Sequence, residues 1–196
     1  MVERASPLGS DFRPGSHGDF AEGTGVTILE AIKGSIVEAN AWPGEEKTLT
    51  ENLSAICRLK LSAAPGSGAA NREGTCAFNI GPGRFLLSGQ DEALAGDLIA
   101  AIDETTGTVT DLSHGRTVFA IEGSQVEWVL AKLFALDFSL PAFPVHAGRA
   151  TAHHDLFVQI QRRGEKRFEL YVFRSFARAF AKTLRRASED VGYTIR

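Results

Sequence analysis

Cysteine is scarce: of 196 residues only two are cysteines, Cys57 and Cys76. They lie far apart, each inside an apolar run, and form no Cys-x-x-Cys spacing, which excludes the usual dithiol redox motif and the paired-thiolate metal clamp. Two buried free thiols are expected. Long apolar runs are also missing, since nothing approaches the ~18 residues of a membrane-spanning helix. Met1 is followed by a polar stretch rich in Gly, Ser and Pro rather than a charged and then apolar leader, so a cytoplasmic location off the membrane is expected. A strong positive balance is absent too. With a net charge of -3 and a pI near 6.0 the composition is wrong for a duplex binder, and no nucleic acid partner is expected.

Several chemical signatures are incomplete. Gly66-Ser67-Gly68 and Gly81-Pro82-Gly83 lack the further glycine and the strand-loop-helix setting of a dinucleotide fingerprint, and no Walker lysine follows a Gly-rich loop. His146, His153 and His154-Asp155 are the nearest approach to a metal set. Adjacent His153 and His154 in an extended segment project to opposite sides, so at most one joins His146, without a third soft ligand nearby. Asp111, Ser113 and His114 contain the letters of a nucleophilic triad. On a strand, however, Asp111 and Ser113 share one face and His114 takes the other, which breaks the relay. The expected role of Asp111 and Ser113 is to satisfy backbone donors at a strand end. No catalytic, cofactor-binding or metal-binding residue is therefore assigned within the chain.

What is present is an uneven charge distribution. Residues 158–196 hold ten of the 21 Lys+Arg and four of the 24 Asp+Glu, a surplus of six positive charges, and residues 1–157 carry a net −9. Most of the surplus falls on the outer face of the last predicted helix, where a charge run is solvated or meets an acidic partner.

The length suits one core or two small packed halves burying roughly 70% of the unfolded surface. Residues 1–25, rich in Gly and Pro and poor in apolar periodicity, read as a flexible arm. Ser62 to Arg72 reads as a connection. Strands are predicted at Val26–Ala31, Ser35–Ala41, Cys76–Ile80, Arg84–Ser88, Thr108–Leu112, Arg116–Glu122, Asp155–Gln161 and Lys166–Phe173. Helices are predicted over Glu45–Arg58 (Leu49, Leu53 and Ile56 inward), Asp91–Asp103 (Leu94, Leu98, Ile102), from Ser124 (Val126, Val129, Leu130, Leu133) and from Ser175 (Phe176, Phe180, Leu184, Ala187, Val191). Ser124 with Glu127 has the form of a capping box, and Ser175 is positioned to cap the last helix.

Strand, strand, helix thus recurs four times, giving an α+β chain of two β-α-β-β-α-β-like halves with antiparallel sheets, residues 26–112 and 113–196. In Thr117–Ile121 and Phe168–Phe173 both alternating faces are largely apolar, so both faces of that sheet need cover, from the other half or from a partner. Phe138 to Pro144 is too apolar and proline-broken for a solvated loop, and Phe143 is its expected anchor between the halves.

Asp111-Leu112-Ser113-His114-Gly115-Arg116-Thr117, then Leu136-Asp137-Phe138-Ser139-Leu140-Pro141-Ala142-Phe143-Pro144, then Tyr171-Val172-Phe173-Arg174-Ser175-Phe176-Ala177 follow one another in an order and spacing that resemble the γ subunit of heterotetrameric sarcosine oxidase. Trp42-Pro43-Gly44 and Gly81-Pro82-Gly83-Arg84-Phe85-Leu86-Leu87 match that family more loosely, and Leu133-Phe134 stands where many members carry Gly-Cys. The resemblance runs from Gly25 to Tyr193. It implies a fold like a reduced folate-dependent aminomethyltransferase and a non-catalytic, structural role in a four-chain flavoenzyme that demethylates sarcosine to glycine and forms hydrogen peroxide. FAD, FMN, NAD and tetrahydrofolate are then expected in the partner subunits: the larger flavoprotein and folate-site chains, with a small fourth subunit. Phe143, Arg178, Lys182, Arg185 and Arg186 are the residues expected at the partner interface. The alternatives are the equivalent subunit of an N-methylglutamate dehydrogenase-type complex and a freestanding folate-binding protein.

Overall fold

The computed structural model describes residues 5–9, 12–19 and 23–196. They form two compact units, one of Ile32–Ser113 with His146–Arg149, the other of the described residues up to Ala31 with His114–Val145 and Ala150–Arg196.

The first of these carries a five-stranded sheet. In chain order it holds β3 (Ser35–Ala41), α1 (Glu46–Cys57), β4 (Gly68–Ala70), β5 (Cys76–Gly81), β6 (Arg84–Gly89), α2 (Leu94–Ala101) and β7 (Gly107–Asp111), with sheet order β4-β5-β6-β3-β7. Its pairings are antiparallel. α1 buries Leu49, Leu53 and Cys57, and α2 buries Leu94, Ala95 and Leu98. These side chains close over Val37, Ala39, Ala77, Phe85 and Leu87 of the sheet in one apolar cluster. Cys57 extends the buried line of Leu49 and Leu53, because positions i, i+4 and i+8 stay on one line along the helix, and the expected Ile56 packs partly buried beside it.

The second unit carries seven strands in the order β1-β12-β2-β8-β11-β10-β9. These are β1 (Gly15–His17), β2 (Val26–Glu30), β8 (Arg116–Glu122), β9 (Gly148–His153, of which Ala150 to His153 belong to this unit), β10 (Leu156–Gly164), β11 (Arg167–Phe173) and β12 (Tyr193–Ile195), with α3 (Val126–Leu133) and α4 (Ala177–Ser188). The order is β3-α1-β4-β5-β6-α2-β7 in the first unit and β8-α3-β9-β10-β11-α4-β12 in the second, so each has one strand more between its helices, β4 and β9, than the expected β-α-β-β-α-β. β2 departs from the expected division: it falls within the expected half 26–112, yet it pairs antiparallel with β8 and parallel with β12, inside the other unit's sheet. Its partner is decided by tertiary pairing, which a strand's own residues do not encode.

The N-terminal arm is also corrected, because its described residues are held. β1 pairs with β12, Leu8 is buried, and Ser6 Oγ donates to Glu30 Oε2 at 2.5 Å. Neither capping serine acts as expected. α3 has no side-chain cap bond at its start, Glu127 bonding elsewhere, and Ser175 lies in a single 3₁₀ turn, Arg174–Phe176, ahead of α4. Thr117–Ile121 and Phe168–Val172 are buried throughout, on both faces. The face shared by Phe119, Ile121, Phe168 and Leu170 is apolar. The opposite face carries Glu169 and Tyr171, where the Tyr171 hydroxyl donates to Glu169 Oε2 at 2.8 Å.

Candidate functional site

The sequence of α4 alternates small or apolar residues with cations at helical spacing. Ala177, Phe180, Ala181, Leu184 and Ser188 are buried, and the ring of Phe180 lies 5.5 Å from Phe119 of the sheet below. Arg178, Lys182, Arg185 and Arg186 are left on the outer side. All four line one groove of about 820 Å³.

The facing wall is built by the arm. Arg178 Nε donates to the Pro7 carbonyl at 2.9 Å, and Arg174 Nη2 donates to the Ala5 carbonyl. The Phe12 ring meets Phe119 edge-on at 6.0 Å. Further along, His17 stacks on Tyr193 with ring centres 5.2 Å apart, and the Tyr193 hydroxyl accepts from Arg185 Nε at 3.1 Å. Leu8, Phe12 and Ile195 contribute apolar lining, while Arg13 adds a fifth cation and Glu189 a single carboxylate. The site is therefore strongly cationic, elongated along a helix, and partly apolar. It has the chemistry to bind an anionic chain.

The four helix cations expected at the interface are thus brought together. Phe143 is not. Its ring is 1% exposed, between Phe138 at 5.8 Å and Phe168 at 5.7 Å, so it belongs to the core of its own unit and has no surface to offer a partner. The arm residues of the groove escaped sequence reading because Leu8, Phe12, Arg13 and His17 follow no period.

The other candidates take structural positions. Ser113 N–H donates to Asp111 Oδ1 at 2.8 Å, and Ser113 Oγ accepts from Ile36 N–H at 2.9 Å, so both side chains satisfy backbone donors. Gly81-Pro82-Gly83 forms the tight β5–β6 hairpin turn, with Gly83 at φ +61°, rather than a phosphate loop. His153 Nδ1 bonds the Leu133 carbonyl at 2.8 Å and its ring abuts His154. Among the described residues no group of three His, Cys, Asp or Glu could hold a metal ion. Cys57 and Cys76 are buried and form no disulfide with each other; Cys76 Sγ and Ser88 Oγ lie 3.1 Å apart, and burial pushes the Cys57 thiol up to about 11.

Residues 73–190 match the family model described as the sarcosine oxidase, gamma subunit family. The chain is 35% identical over 142 residues to the sarcosine oxidase subunit gamma of Arthrobacter sp., covering 72% of this chain and 69% of that protein. To the subunit gamma of Corynebacterium sp. strain U-96 it is 31% identical over 152 residues, 77% of this chain and 73% of that one. Among solved structures, a chain of the heterotetrameric sarcosine oxidase from Corynebacterium sp. U-96, in complex with pyrrole 2-carboxylate, superposes with a TM-score of 0.81 at 28% identity, over 96% of each chain. Aminomethyltransferase T of the glycine cleavage system from Bartonella henselae shares the fold at a TM-score of 0.57 and 20% identity, over 88% of this chain and 48% of that one. With a family model covering residues 73–190 and relatives above 30% identity over more than two thirds of their length, the chain belongs to the sarcosine oxidase γ subunit family.

Proposed function

We propose that this chain is a non-catalytic subunit of a heterotetrameric sarcosine oxidase, with a structural role in its assembly. The observation that carries the reading is the likeness, over 96% of both chains, to a chain of the Corynebacterium enzyme. The groups of this chain that could have done chemistry also support it. Asp111 and Ser113 bond to backbone, and His153 bonds to a carbonyl. In this reading the flavins, NAD and tetrahydrofolate belong to the partner chains. The assembly oxidises the N-methyl group of sarcosine to give glycine and hydrogen peroxide, the one-carbon unit leaving on tetrahydrofolate or as formaldehyde. The cationic side of α4 is the proposed contact, where long-range attraction speeds association more than it adds affinity.

Co-expression with the flavoprotein genes that neighbour it tests this. One complex that survives gel filtration is the expected outcome, with the isolated chain colourless and inactive toward sarcosine. Elution of the chain alone beside every flavoprotein offered, or peroxide formation by the chain alone, overturns it. Assays of the whole complex with sarcosine and with N-methylglutamate decide between those two amines.

A further inference from the structure

Cations at the end of a helix have an ordinary explanation: they complement the partial negative charge of the last turn, and Arg185 and Arg186 stand there. That explanation fails for Arg178, the second residue of α4, where the same field disfavours a cation, and for Lys182 in the middle. The pairs 178/182 and 182/186 are like charges at i, i+4, which cost stability rather than add it.

Elsewhere in this unit several cations are matched by carboxylates. Lys132 meets Asp190 at 2.5 Å, Lys166 meets Glu127 at 3.1 Å, and Arg167 meets Glu122 at 3.2 Å. On α4, Arg178 Nε donates to a neutral oxygen, the Pro7 carbonyl, and no ion pair or side-chain hydrogen bond involves Lys182 or Arg186 among the described residues. Along the row 178, 182 and 186 positive charge thus stands without a carboxylate partner among the described residues.

Its shape narrows the occupant. Residues 178, 182 and 186 form a row along one helix face about 12 Å long, from the 1.5 Å rise per residue. Donors arranged to hold one phosphate or carboxylate converge on a point, whereas these are spread along a line. Side chains on one side of an extended peptide recur every ~6.7 Å, close to the ~6 Å between successive turns of the row. Leu8, Phe12 and Ile195 add an apolar surface that a bare polyanion would leave unused, and Glu189 makes one part of the groove unfavourable to carboxylates.

The geometry points to an extended acidic segment of a partner polypeptide, with an apolar side chain among its carboxylates, as the occupant of the groove between α4 and the N-terminal arm. This rests on the subunit reading and names the kind of partner surface it requires.

The test uses the whole chain and a fluorescently labelled peptide of alternating glutamate and leucine, with glutamine replacing glutamate in the control. Inorganic tripolyphosphate serves as the competitor. The acidic peptide should bind at low salt and the glutamine peptide should not. The Lys182→Glu/Arg186→Glu double variant, both positions being exposed, should keep its melting temperature and lose at least about tenfold in affinity. Equal binding by variant and wild type overturns the proposal, as does displacement by tripolyphosphate at the concentration of acidic peptide that displaces the probe, which would mark a small-anion site. The same variant is then taken through co-expression. If it assembles as fast as wild type, the groove proposal fails and the subunit reading stands. If wild type itself does not assemble, the subunit reading fails and the peptide titration alone decides the groove.

Discussion

Arg162 is wholly buried and its Nη2 donates to Glu127 Oε1 at 2.5 Å, joining β10 to α3. The same nitrogen reaches the Phe138 carbonyl at 2.6 Å, and the guanidinium carbon stands 4.6 Å from the centre of the Phe168 ring. Lys166 approaches the second oxygen of Glu127 at 3.1 Å. One carboxylate thereby balances a buried and an exposed cation, and Arg162 ties the segment after α3 to the sheet. Arg162 Nε and Nη1 are buried without a hydrogen bond, so the guanidinium depends on Glu127 for its compensation.

Removing that carboxylate strands the guanidinium. Breaking a fully buried pair costs about 3–5 kcal/mol, and because Glu127 is 31% exposed the loss for Glu127→Ala is expected at about 2–3 kcal/mol. Urea unfolding measures it. A value near zero would show that water replaces Glu127.

Phe143→Ala opens a cavity between Phe138 and Phe168, and about 3–5 kcal/mol of stability should be lost. Thermal unfolding is the check. An unchanged melting temperature is incompatible with a ring that is 1% exposed.

Gly123 joins β8 to α3 at φ +140°, and a Cβ there would run into the backbone carbonyl of Gly25. Gly123→Ala must therefore displace β2 from its place beside β8 or strain the turn, at a cost of about 1–3 kcal/mol. Substituting Gly96, whose Cβ would meet open space in α2, should by contrast leave stability unchanged or raise it by up to about 1 kcal/mol.

The Cys57 thiol has its pKa pushed from 9.0 to about 11 by burial. Between those values the unfolded chain loses the proton and the folded chain keeps it. Stability associated with this group is present below pH 9 and falls as the pH rises toward 11. Cys57→Ser should flatten that alkaline limb, and a thiol reagent at pH 8 should label neither cysteine until the chain unfolds. Rapid labelling of the native protein would contradict the burial of both.

Asp190 has its carboxyl held below the usual range chiefly by the hydrogen bond from Lys132, whose Nζ also donates to the Ala187 carbonyl at 2.9 Å. A depressed carboxyl contributes stability above its unfolded pKa of 3.8 and loses it as the pH falls further. Lys132→Met should remove this acid-side contribution, by less than about 1 kcal/mol since the Asp190 side chain is 55% exposed. Acid titrations of the two proteins that superpose would disprove it.

The sequence alone was enough for elements whose residues declare themselves locally. β3 and β8 coincide with the expected Ser35–Ala41 and Arg116–Glu122 to the residue, and the apolar stripes of α3 and α4 select the buried positions Val129, Leu130, Phe180 and Leu184, whereas Phe176, also expected inward, lies in the turn ahead of α4 and is exposed. Side-chain alternation and helical period are properties of contiguous residues, which is why they were legible. The motifs around Asp111, Leu136 and Tyr171 pointed to the family for the same reason. Tertiary structure decided what depends on distant partners. β1, β4 and β12 are three-residue strands, and Gly-Ser-His or Gly-Ala-Ala becomes a strand only by hydrogen-bonding a neighbour. Glu127 looked like a cap residue until Arg162, 35 positions later, reached it across the fold. The groove unites Leu8 and Phe12 with Lys182 and Arg186, residues that lie at opposite ends of the chain. Charge on α4 could be read in one dimension, but the wall that makes it a groove exists only because β1 pairs with β12 and draws the arm alongside the helix.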